Sequence, residues 1–588
     1  MQSVNNQKDL QHTPSRPPAR FPRHLLGYSV VSIFFLFTGI DWGLPSHARV
    51  TSVLGSQDKV EPLIDELLLT RAEHIEWYSF FTDFNEPYME PGNPAHRLYR
   101  IALIRHFLTR SEVPDESHVY AHLRQMDPRR LDFNPNDHKY GGLFYYSVAG
   151  GLVTGHVLGL VNLPQNIEQC YRDPGKVADL HRAGRVTCAL VGLGGAILLF
   201  LFLSRYCGLW AAWTAGLLFV FSPTVQTYTH MTKPHIFALT LAIAVLWVAY
   251  RILYSTKENL VSLYIFAGGL SGLAAAAALP AAVTILFLLI AHILRPRPFH
   301  RDNIKLLAVA AGFLFLGYLL FTPYLLFSLD EFVANWKLHS SSGHGYTIWH
   351  PFKLWQFVLQ TFGAVTGWLA ACLLLPPLQR LLVRQKSLSE ESPKGVLFFV
   401  LCFGISTLAL GGLFGRLRLG LCTVAPLLVL CGFGAQRLSG RLPGRIIVSF
   451  VLVLTSGFSL ANVANYIEND HKLQSVARWI EANIPPASHV AFDAPTVPFN
   501  PGPYRIGDIH RISGQTHLPP QPPRYIVWTG VQSRTMKNYP SAYRLVEQFP
   551  RIEPLTDSVV PSLYYYGNEE DWYPNRTISI YRLNSPPD

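Results

Sequence analysis

Long apolar runs separated by short polar connections are the main pattern of this 588-residue chain. Several runs approach the ~20 residues that a helix needs to cross a bilayer. The pattern predicts about eleven membrane-spanning helices, at 25–42, 187–204, 209–226, 236–254, 262–278, 280–294, 305–325, 356–376, 395–413, 419–435 and 445–463. We therefore expect a polytopic α-helical membrane protein.

Residues 141–163 form one further apolar run, but glycine pairs and His156 weaken it. If this run does not span, the short Lys- and Arg-rich connections all lie on the side of the basic tail 1–24, as the positive-inside rule requires. We therefore expect 141–163 to be interfacial or re-entrant, and the N-terminus to be cytoplasmic. The loop 43–186 and the tail 464–588 then both face the outside.

The predicted domains are the tail 1–24, a transmembrane domain over 25–463 that includes the large loop 43–186, and a small external α/β domain over 464–588. In the loop, we expect amphipathic helices lying on the membrane surface at 61–83 and 97–110. In the tail, the expected elements are a helix at 471–483, strands at 489–493, 524–529 and 577–582, and an irregular Pro-rich stretch at 495–523.

Composition excludes several classes of protein. The chain is 49% hydrophobic and 15% charged, which is too apolar for an ordinary soluble domain. Its net charge of +11 is spread over loops and forms no basic patch with interleaved aromatics, so we expect no nucleic-acid binding. The seven cysteines show neither a disulfide framework nor CxxC spacing, and we expect no structural zinc.

Asp115 and Glu116 form an acidic pair in the polar loop between the first two predicted spans. A carboxylate at the membrane surface can act as the general base in a group transfer. The same residues also suit an ordinary helix start, with Ser111 as the cap, Pro114 in the first turn and the acids at the positive end of the dipole. Adjacent helix positions point about 100° apart, so one carboxylate can face a given substrate atom. These residues alone leave both interpretations open.

Short motifs occur in a recurring order along most of the chain. They are Gly43-Leu44-Pro45, Pro114-Asp115-Glu116, Asn134-Pro135, Tyr140 with the following LFYY, Arg185, Ser222-Pro223, the run from Tyr228 to His235, Thr322-Pro323-Tyr324 through Phe332, Arg416-Leu417-Arg418 through Pro426, and 475–493. In this order they resemble GT-C superfamily glycosyltransferases, closest in pattern to bacterial relatives of glycosyltransferase family 39, the protein O-mannosyltransferase family.

Three departures from that family pattern stand out. About seventy residues separate the GLP and PDE motifs, where the family usually has a few. His235 stands where an acidic residue is common, and Gly141-Gly142 replaces a usual Pro-Ser. The long insertion leaves Asp41, at the outer end of the first span, as a rival base or as an interfacial polar residue.

The resemblance implies an integral glycosyltransferase of a bacterial inner membrane, with its active site facing the periplasm or external side. It would move a hexose or pentose from a polyprenyl-phosphate donor to an acceptor hydroxyl. The acceptor would be a protein, lipid or glycan, and the displacement would invert the anomeric centre. Asp115 would be the general base, while Glu116 would orient the acceptor or bind a divalent cation, the one cofactor compatible with the acidic pair.

The resemblance also implies residues that bind the substrate. Lys233, Arg416 and Arg418 would offset the charge of the departing lipid phosphate, with headgroup anchoring as the alternative. The other candidates for substrate binding are Asn134, Lys139, Tyr140, His235 and His344. For the two histidines, a structural or surface role is the alternative.

Rival functions remain. A transporter or flippase of a lipid-linked solute commonly shows internal repeats and charges near the membrane midplane, and neither is clear here. An oligosaccharide ligase would move a preassembled glycan instead of one sugar. A catalytically inactive relative would bind glycolipid or partners through its tail.

Overall fold

The computed structural model describes residues 21–70, 88–137, 140–255, 259–330, 332–333, 393–413, 417–492, 500, 502–508, 522–528, 542–549 and 578–584. The helices are α1 (Phe21–Phe37), α2 (His47–Leu54), α3 (Gln57–Leu69), α4 (Pro94–Thr109), α5 (Pro114–Gln125), α6 (Gly142–Val157), α7 (Ile167–Arg172), α8 (Pro174–Tyr206), α9 (Leu209–Val220), α10 (Pro223–Thr229), α11 (His235–Tyr254), α12 (Leu260–Ala277), α13 (Ile285–Ile293), α14 (Arg301–Phe321), α15 (Pro393–Leu413), α16 (Val424–Leu438) and α17 (Leu442–Asn483).

Six helices in the described ranges are long and apolar enough to cross a membrane. They are Pro174–Tyr206, His235–Tyr254, Leu260–Ala277, Arg301–Phe321, Gly420–Leu438 and Leu442–Ala461. Shorter apolar helices cover Phe21–Phe37, Leu209–Val220, Leu279–Ile293 and Lys394–Leu410. The polytopic helical fold class is confirmed. The count of about eleven spans stays a prediction, and the span at 356–376 lies outside the described residues.

Two predicted boundaries were wrong. The span at 209–226 is split, because Pro223 starts α10 while the Ser222 hydroxyl accepts a hydrogen bond from the amide of Val225 at 3.3 Å. The last span and the tail helix at 471–483 are instead one continuous helix, α17. No proline interrupts the polar residues between them, so nothing in the sequence ends the helix there.

The tail contributes five strands to a six-stranded sheet. They are β2 (His489–Phe492), β3 (Arg505–Asp508), β4 (Tyr525–Trp528), β5 (Tyr543–Phe549) and β6 (Ile578–Leu583). Three of the strands lie where the sequence predicted them. β3 lies inside the stretch expected to be irregular, so that prediction was wrong there, and β5 was not predicted.

The sixth strand comes from the large first loop. β1 (Tyr88–Met89) pairs antiparallel with β3, giving the order β1-β3-β2-β4-β6-β5. β2 is parallel to both of its neighbours, whereas β6 is antiparallel to β4 and β5. Because the edge strand belongs to residues 43–186, part of this loop and the tail form one sheet.

The loop helices and the tail also share a hydrophobic core. Residues of α2, α3 and α4 pack with Val476 and Ile480 of α17 and with the inward side chains of β2, β3 and β6. The His96 Nε2 atom lies 2.8 Å from the carbonyl oxygen of Tyr504 in the buried interface. All of residues 101–108 of α4 are buried, so the expected surface amphipathic helix at 97–110 was wrong. Of the other expected surface helix, at 61–83, residues 71–83 lie outside the described residues.

The two ends of the long insertion meet. The Glu112 amide donates to the Gly43 carbonyl at 2.8 Å, and Arg49 Nη1 donates to the same oxygen at 3.3 Å. Arg49 also pairs with the Glu112 carboxylate at 3.0 Å, with both side chains nearly buried. The insertion therefore leaves and rejoins the chain at one point, next to the start of α5.

Gly43 is required at this junction. Its φ is +62°, and a Cβ there would come within 2.7 Å of Cβ and Cγ of Glu112. We expect Gly43→Ala to lower the free energy of unfolding by more than the ~1 kcal/mol of backbone strain alone. The matched control is Gly159→Ala, where φ is +70° but nothing lies within 4 Å. Thermal unfolding in detergent measures both, and equal shifts would contradict the steric contribution.

Candidate active site

The acidic pair lies in the first turn of α5, which begins at Pro114. Val113 is the N-cap residue of this helix, and its side chain makes no capping hydrogen bond. The interpretation of Ser111 as the cap was therefore wrong. The Ser111 hydroxyl instead donates to the Glu116 carboxylate at 2.5 Å. The two acids point into different surroundings, since the Glu116 side chain is fully buried and that of Asp115 is 24% exposed.

A buried ion pair joins Glu116 to Arg185 of α8. Arg185 donates through Nε to Oε1 and through Nη2 to Oε2, both at 2.9 Å. Its Nη1 donates to the carbonyl oxygens of Ile40 at 2.8 Å and Trp42 at 2.6 Å. Two parallel charged hydrogen bonds are strong, and burial is tolerated because both ions are satisfied. This pair fixes α5, α8 and the segment after α1 relative to one another.

Protein groups surround the Glu116 carboxylate. The Thr232 amide donates to Oε1 at 2.8 Å, and His181 Nδ1 lies 3.6 Å from Oε2. Burial raises the pKa of Glu116, but the charge and hydrogen bonds of Arg185, together with the His181 ring and the Ser111 hydroxyl, more than offset it, so the pKa lies below its ordinary value. Glu116 is thus ionised and enclosed by protein. Such a carboxylate is suited to holding the residues it contacts, Arg185 and Thr232, in fixed positions. A catalytic role for Glu116 stays a prediction.

Asp115 forms the second pair of this cluster. Its Oδ2 lies 3.0 Å from Nζ of Lys233, whose side chain is nearly buried. Lys233 follows Thr232 directly, so consecutive acids of α5 contact consecutive residues of the loop before α11. The Tyr120 hydroxyl, one helical turn after Glu116, lies 3.1 Å from the Thr232 hydroxyl and strengthens the same contact. A half-buried carboxylate and a buried ammonium therefore stand together beside the enclosed pair.

Asp41, the rival base, lies in an exposed ion pair. Its carboxylate accepts a hydrogen bond from Arg182 Nε at 2.6 Å, and 62% of its side chain is exposed. Arg182 also pairs with Asp179, one turn earlier on α8. Arg182 and Arg185 therefore hold the same short segment after α1 from one face of α8.

A narrow, partly open cleft with about 30 Å³ of enclosed space lies beside α6 and the end of α14. Aromatic and polar side chains line it, including Asn134, Asp137, Tyr140, Tyr146, Tyr318, Phe321, Thr322, Tyr324 and Phe332. The predicted substrate ligands Asn134 and Tyr140 thus meet at one cavity, together with the TPY segment. Pockets with a largely apolar lining and a few polar groups are typical of small-molecule sites.

Helix α5 connects the cleft to the acidic pair. His122, seven residues after Asp115, lies on the same helical face. Its Nδ1 atom is 2.8 Å from the carbonyl oxygen of Pro135, which lines the cleft. The Tyr145 hydroxyl donates a short hydrogen bond to Asp137 in the same loop.

The departure at Gly141-Gly142 has a steric reason. A Cβ on Gly142 would lie 1.7 Å from the carbonyl oxygen of Phe321, and one on Gly141 would lie 1.8 Å from that of Ala276. The Gly141 amide donates to the carbonyl of Ala277 at 3.2 Å. The start of α6 therefore touches the backbones of α12 and α14, which the residues usual in the family would prevent.

The remaining predicted residues lie elsewhere or outside the description. His235 starts α11 and is buried, with its ring 4.8 Å from that of Tyr228. Arg418 lies in the 3₁₀ segment Leu417–Thr423, and nothing is described of its side chain. Lys139, His344 and Arg416 lie outside the described residues.

Sequence reasoning missed several members of the cluster. His181, Tyr120 and Thr232 were not singled out, although Tyr120 and His181 pack edge to face at 4.7 Å. Arg185 was noted as a motif residue without a role. The available signal was the position of Arg185 at the start of an apolar helix, because a charge there needs a buried partner.

Within the described part of the chain, no three His, Cys, Asp or Glu side chains are grouped so that they could hold a metal ion. Asp115 and Glu116 do not converge, since Glu116 faces Arg185 and Asp115 faces Lys233. A divalent cation held jointly by this acidic pair therefore does not fit the observed geometry.

The fold and site together define a polytopic helical membrane protein with a sheet module and a buried charge cluster. No family model and no curated protein matches the chain. Among solved structures, the chain is similar to ArnT from Cupriavidus metallidurans bound to undecaprenyl phosphate, at 12% identity and a TM-score of 0.38, over 96% of this chain and 99% of ArnT. The apo form of ArnT gives 0.37 at 12% identity, covering 89% of this chain and 98% of that one.

The chain is also similar to the Archaeoglobus fulgidus oligosaccharyltransferase in complex with Zn and sulfate. The TM-score is 0.34 at 12% identity, over 80% of this chain and 60% of that one. At these TM-scores the likeness establishes neither the site nor the reaction, which rest on the residues themselves.

Proposed function

We propose that the protein is a membrane glycosyltransferase of the GT-C type that moves a sugar from a polyprenyl-phosphate donor to an acceptor hydroxyl. The observation that carries the proposal is the Asp115–Lys233 pair at 3.0 Å, held beside the buried Glu116–Arg185 pair. This site supplies a carboxylate to take a proton and an ammonium to meet a phosphate, both beside apolar helices.

The acceptor oxygen attacks the anomeric carbon, the bond from that carbon to the phosphate oxygen breaks, and Asp115 takes the hydroxyl proton. A single displacement of this kind inverts the anomeric centre. Asp115 is partly exposed, which allows access to the acceptor, while its ion pair with Lys233 holds the carboxylate in place. Glu116 and Arg185 act as positioning residues, because their contacts fix the first turn of α5.

Lys233 has a double role in this proposal. Its ammonium has three donors, so it can contact Asp115 and a phosphate oxygen together. In this arrangement the phosphate of the donor and the carboxylate of Asp115 lie on either side of one ammonium, which places the donor beside the proposed base. The leaving phosphate is stabilised by the same ammonium.

The cleft lined by Asn134, Tyr140 and Tyr324 is the proposed site for the donor headgroup. Aromatic rings offer flat apolar faces to a sugar ring, and amide and carboxylate groups offer partners to its hydroxyls. The neighbouring α14 presents an apolar surface that suits the lipid chain.

The test is sugar transfer in lipid nanodiscs with a panel of labelled polyprenyl-phosphate sugars and acceptor-containing membrane extract. We expect transfer by the wild-type protein from at least one donor and its loss in Asp115→Asn. No transfer from any donor by a folded, correctly inserted protein would overturn the proposal.

Replacing Lys233 separates binding from chemistry. We expect Lys233→Gln to raise the donor KM and also lower kcat, because the phosphate is contacted in the ground state and in the transition state. The measurement is initial rate against donor concentration. An unchanged KM with an unchanged kcat would remove Lys233 from the site. The matched variant is Arg418→Gln, which replaces another cation predicted to contact the lipid phosphate.

A further inference from the structure

Residues 127–132 form a tightly built turn between α5 and the cleft. Asp127 and Asp132 exchange two backbone hydrogen bonds, at 2.8 Å and 3.0 Å. The Asp127 carboxylate accepts from the amide of Arg129 at 3.1 Å, and the Asp132 carboxylate accepts from that of Asn134 at 3.0 Å. Both acids therefore build the base of the turn.

The tip of the turn carries basic and apolar side chains into the open. Arg129 is exposed, the Arg130 side chain is 86% exposed, and Leu131 is 76% exposed. Phe133, at the end of the turn, is 40% exposed. The weak ion pair of Arg130 with Asp127, at 3.5 Å, leaves most of the guanidinium on the surface.

Leu131 has a backbone conformation that its side chain disfavours. Its φ is +57° and its ψ is 25°, in the left-handed region that glycine or asparagine adopts more easily. A leucine that is both strained and exposed contributes nothing evident to the folded chain in water. Such an outlier indicates a function for the side chain.

The turn is fixed to the end of a lipid-facing helix. The Phe133 amide donates to the Tyr324 hydroxyl at 2.8 Å, in the 3₁₀ turn Pro323–Leu326 that follows α14. Only 6% of the apolar window of α14 is buried inside the protein. At the end of this 3₁₀ turn, Leu326 and Phe327 are 61% and 85% exposed. The apolar surface of α14 therefore continues into this region.

We propose that the turn 127–133 is an anchor for the phosphates of anionic phospholipids at the mouth of the cleft. Leu131 and Phe133 lie among the upper acyl chains, in line with the exposed end of α14. Arg129 and Arg130 lie above them, at the depth of the phosphates, and bind them as charged surface residues bind acidic lipids. The carboxylates of Asp127 and Asp132 are exposed as well, but the amides of Arg129 and Asn134 hold them at the base of the turn, away from the tip.

The anchor has a consequence for local lipid composition. Basic side chains at a membrane surface attract anionic lipids, and the attraction falls off within a Debye length. The cleft mouth is therefore surrounded by phosphate-bearing lipids whether or not the protein transfers a sugar. The inference holds independently of the proposed reaction.

A fluorophore at the tip tests the location. In nanodiscs, bimane attached to Leu131→Cys should be quenched by phospholipids carrying a nitroxide near the headgroup and shielded from aqueous iodide. The matched control is Leu69→Cys, an 85% exposed leucine at the end of α3 in the insertion. With wild-type labelling subtracted, equal iodide quenching at the two positions and no nitroxide quenching at 131 would overturn the proposal.

The second test addresses the charge. At a fixed content of nitroxide-labelled lipid, quenching at position 131 should be stronger when the labelled lipid is phosphatidylglycerol than when it is phosphatidylcholine. Replacing Arg129 and Arg130 by glutamine should weaken this enrichment by about fivefold for each arginine. If phosphatidylglycerol were still enriched around position 131 after both arginines were replaced, the proposal that Arg129 and Arg130 bind lipid phosphates would be overturned.

A third variant separates the anchor from simple misfolding. Leu131→Gly relieves the backbone strain, so its melting temperature in detergent should equal or exceed that of the wild type. In phosphatidylglycerol nanodiscs, the wild-type melting temperature should rise more than that of Leu131→Gly. Equal rises in the two proteins would count against insertion of the leucine.

Discussion

Asp115→Asn should lower kcat for sugar transfer by about 10²–10⁴-fold, the range that a general base contributes. Asparagine keeps the shape of the side chain and can still accept a hydrogen bond from Lys233, but it cannot take a proton. The donor KM should change little, because the carboxylate acts on the acceptor. The measurement is single-turnover transfer at saturating donor.

The matched control is Asp41→Asn, which removes the rival candidate base. Asp41 follows the C-terminal end of the first apolar helix, α1. Because Asp41 is 62% exposed and pairs with Arg182, its replacement should change kcat by less than about threefold. If Asp41→Asn abolished transfer while Asp115→Asn retained it, Asp41 would be the base. Equal melting temperatures of the two variants would confirm that neither result comes from unfolding.

Arg185→Met should lower the free energy of unfolding by about 3–5 kcal/mol, the usual effect of removing one partner of a buried ion pair. Glu116 would then be enclosed without its countercharge, and the carbonyl oxygens of Ile40 and Trp42 would lose their donor. Thermal unfolding in detergent, with urea titration as a second measure, gives the effect.

Arg182→Gln is the comparison, since Arg182 lies one turn earlier on α8 and contacts the same segment. Its ion pair with Asp41 is exposed, so the loss should stay within about 1 kcal/mol. Comparable losses from the two arginines would mean that the Glu116 pair is no more important to the fold than a surface pair.

The Glu116 pair also predicts how stability depends on pH. The folded-state pKa of Glu116 is below its ordinary value, so the folded protein holds its proton less tightly than the unfolded chain. This contribution is present above the ordinary carboxyl pKa and is lost as pH falls through the lowered value. In Glu116→Gln the acid-side loss of stability should be smaller, which melting curves at descending pH would measure.

The helical membrane fold could be predicted from the sequence, because apolar runs of this length are typical of membrane-spanning helices. The ordered motifs assigned Asp115 and Lys233 to one site, and the structure places these residues, which are distant in sequence, in contact at 3.0 Å. Asn134, Tyr140 and the TPY segment were named together and meet at one cleft. Their roles stay predictions.

Other features could not be predicted from local pattern. The sheet contains a two-residue strand from the first loop, which is too short to give an alternation of polar and apolar positions. The insertion at 44–111 was expected to contain amphipathic surface helices, but its described residues, 44–70 and 88–111, pack apolar side chains against residues of the distant tail. The sequence analysis treated Glu116 and Asp115 as one acidic pair. In the structure each has its own partner, Arg185 for Glu116 and Lys233 for Asp115, and those partners come from distant parts of the chain.

Helix α17 sets the height of the sheet module above the bundle. With 42 residues it is about 63 Å long at 1.5 Å per residue, roughly twice the ~30 Å hydrocarbon thickness of a bilayer. A single unbroken rod of this length carries one end of the module's core while its other end packs among the apolar helices. Because no loop interrupts this helix, a tilt or rotation of its apolar half is transmitted directly to the core of the sheet module.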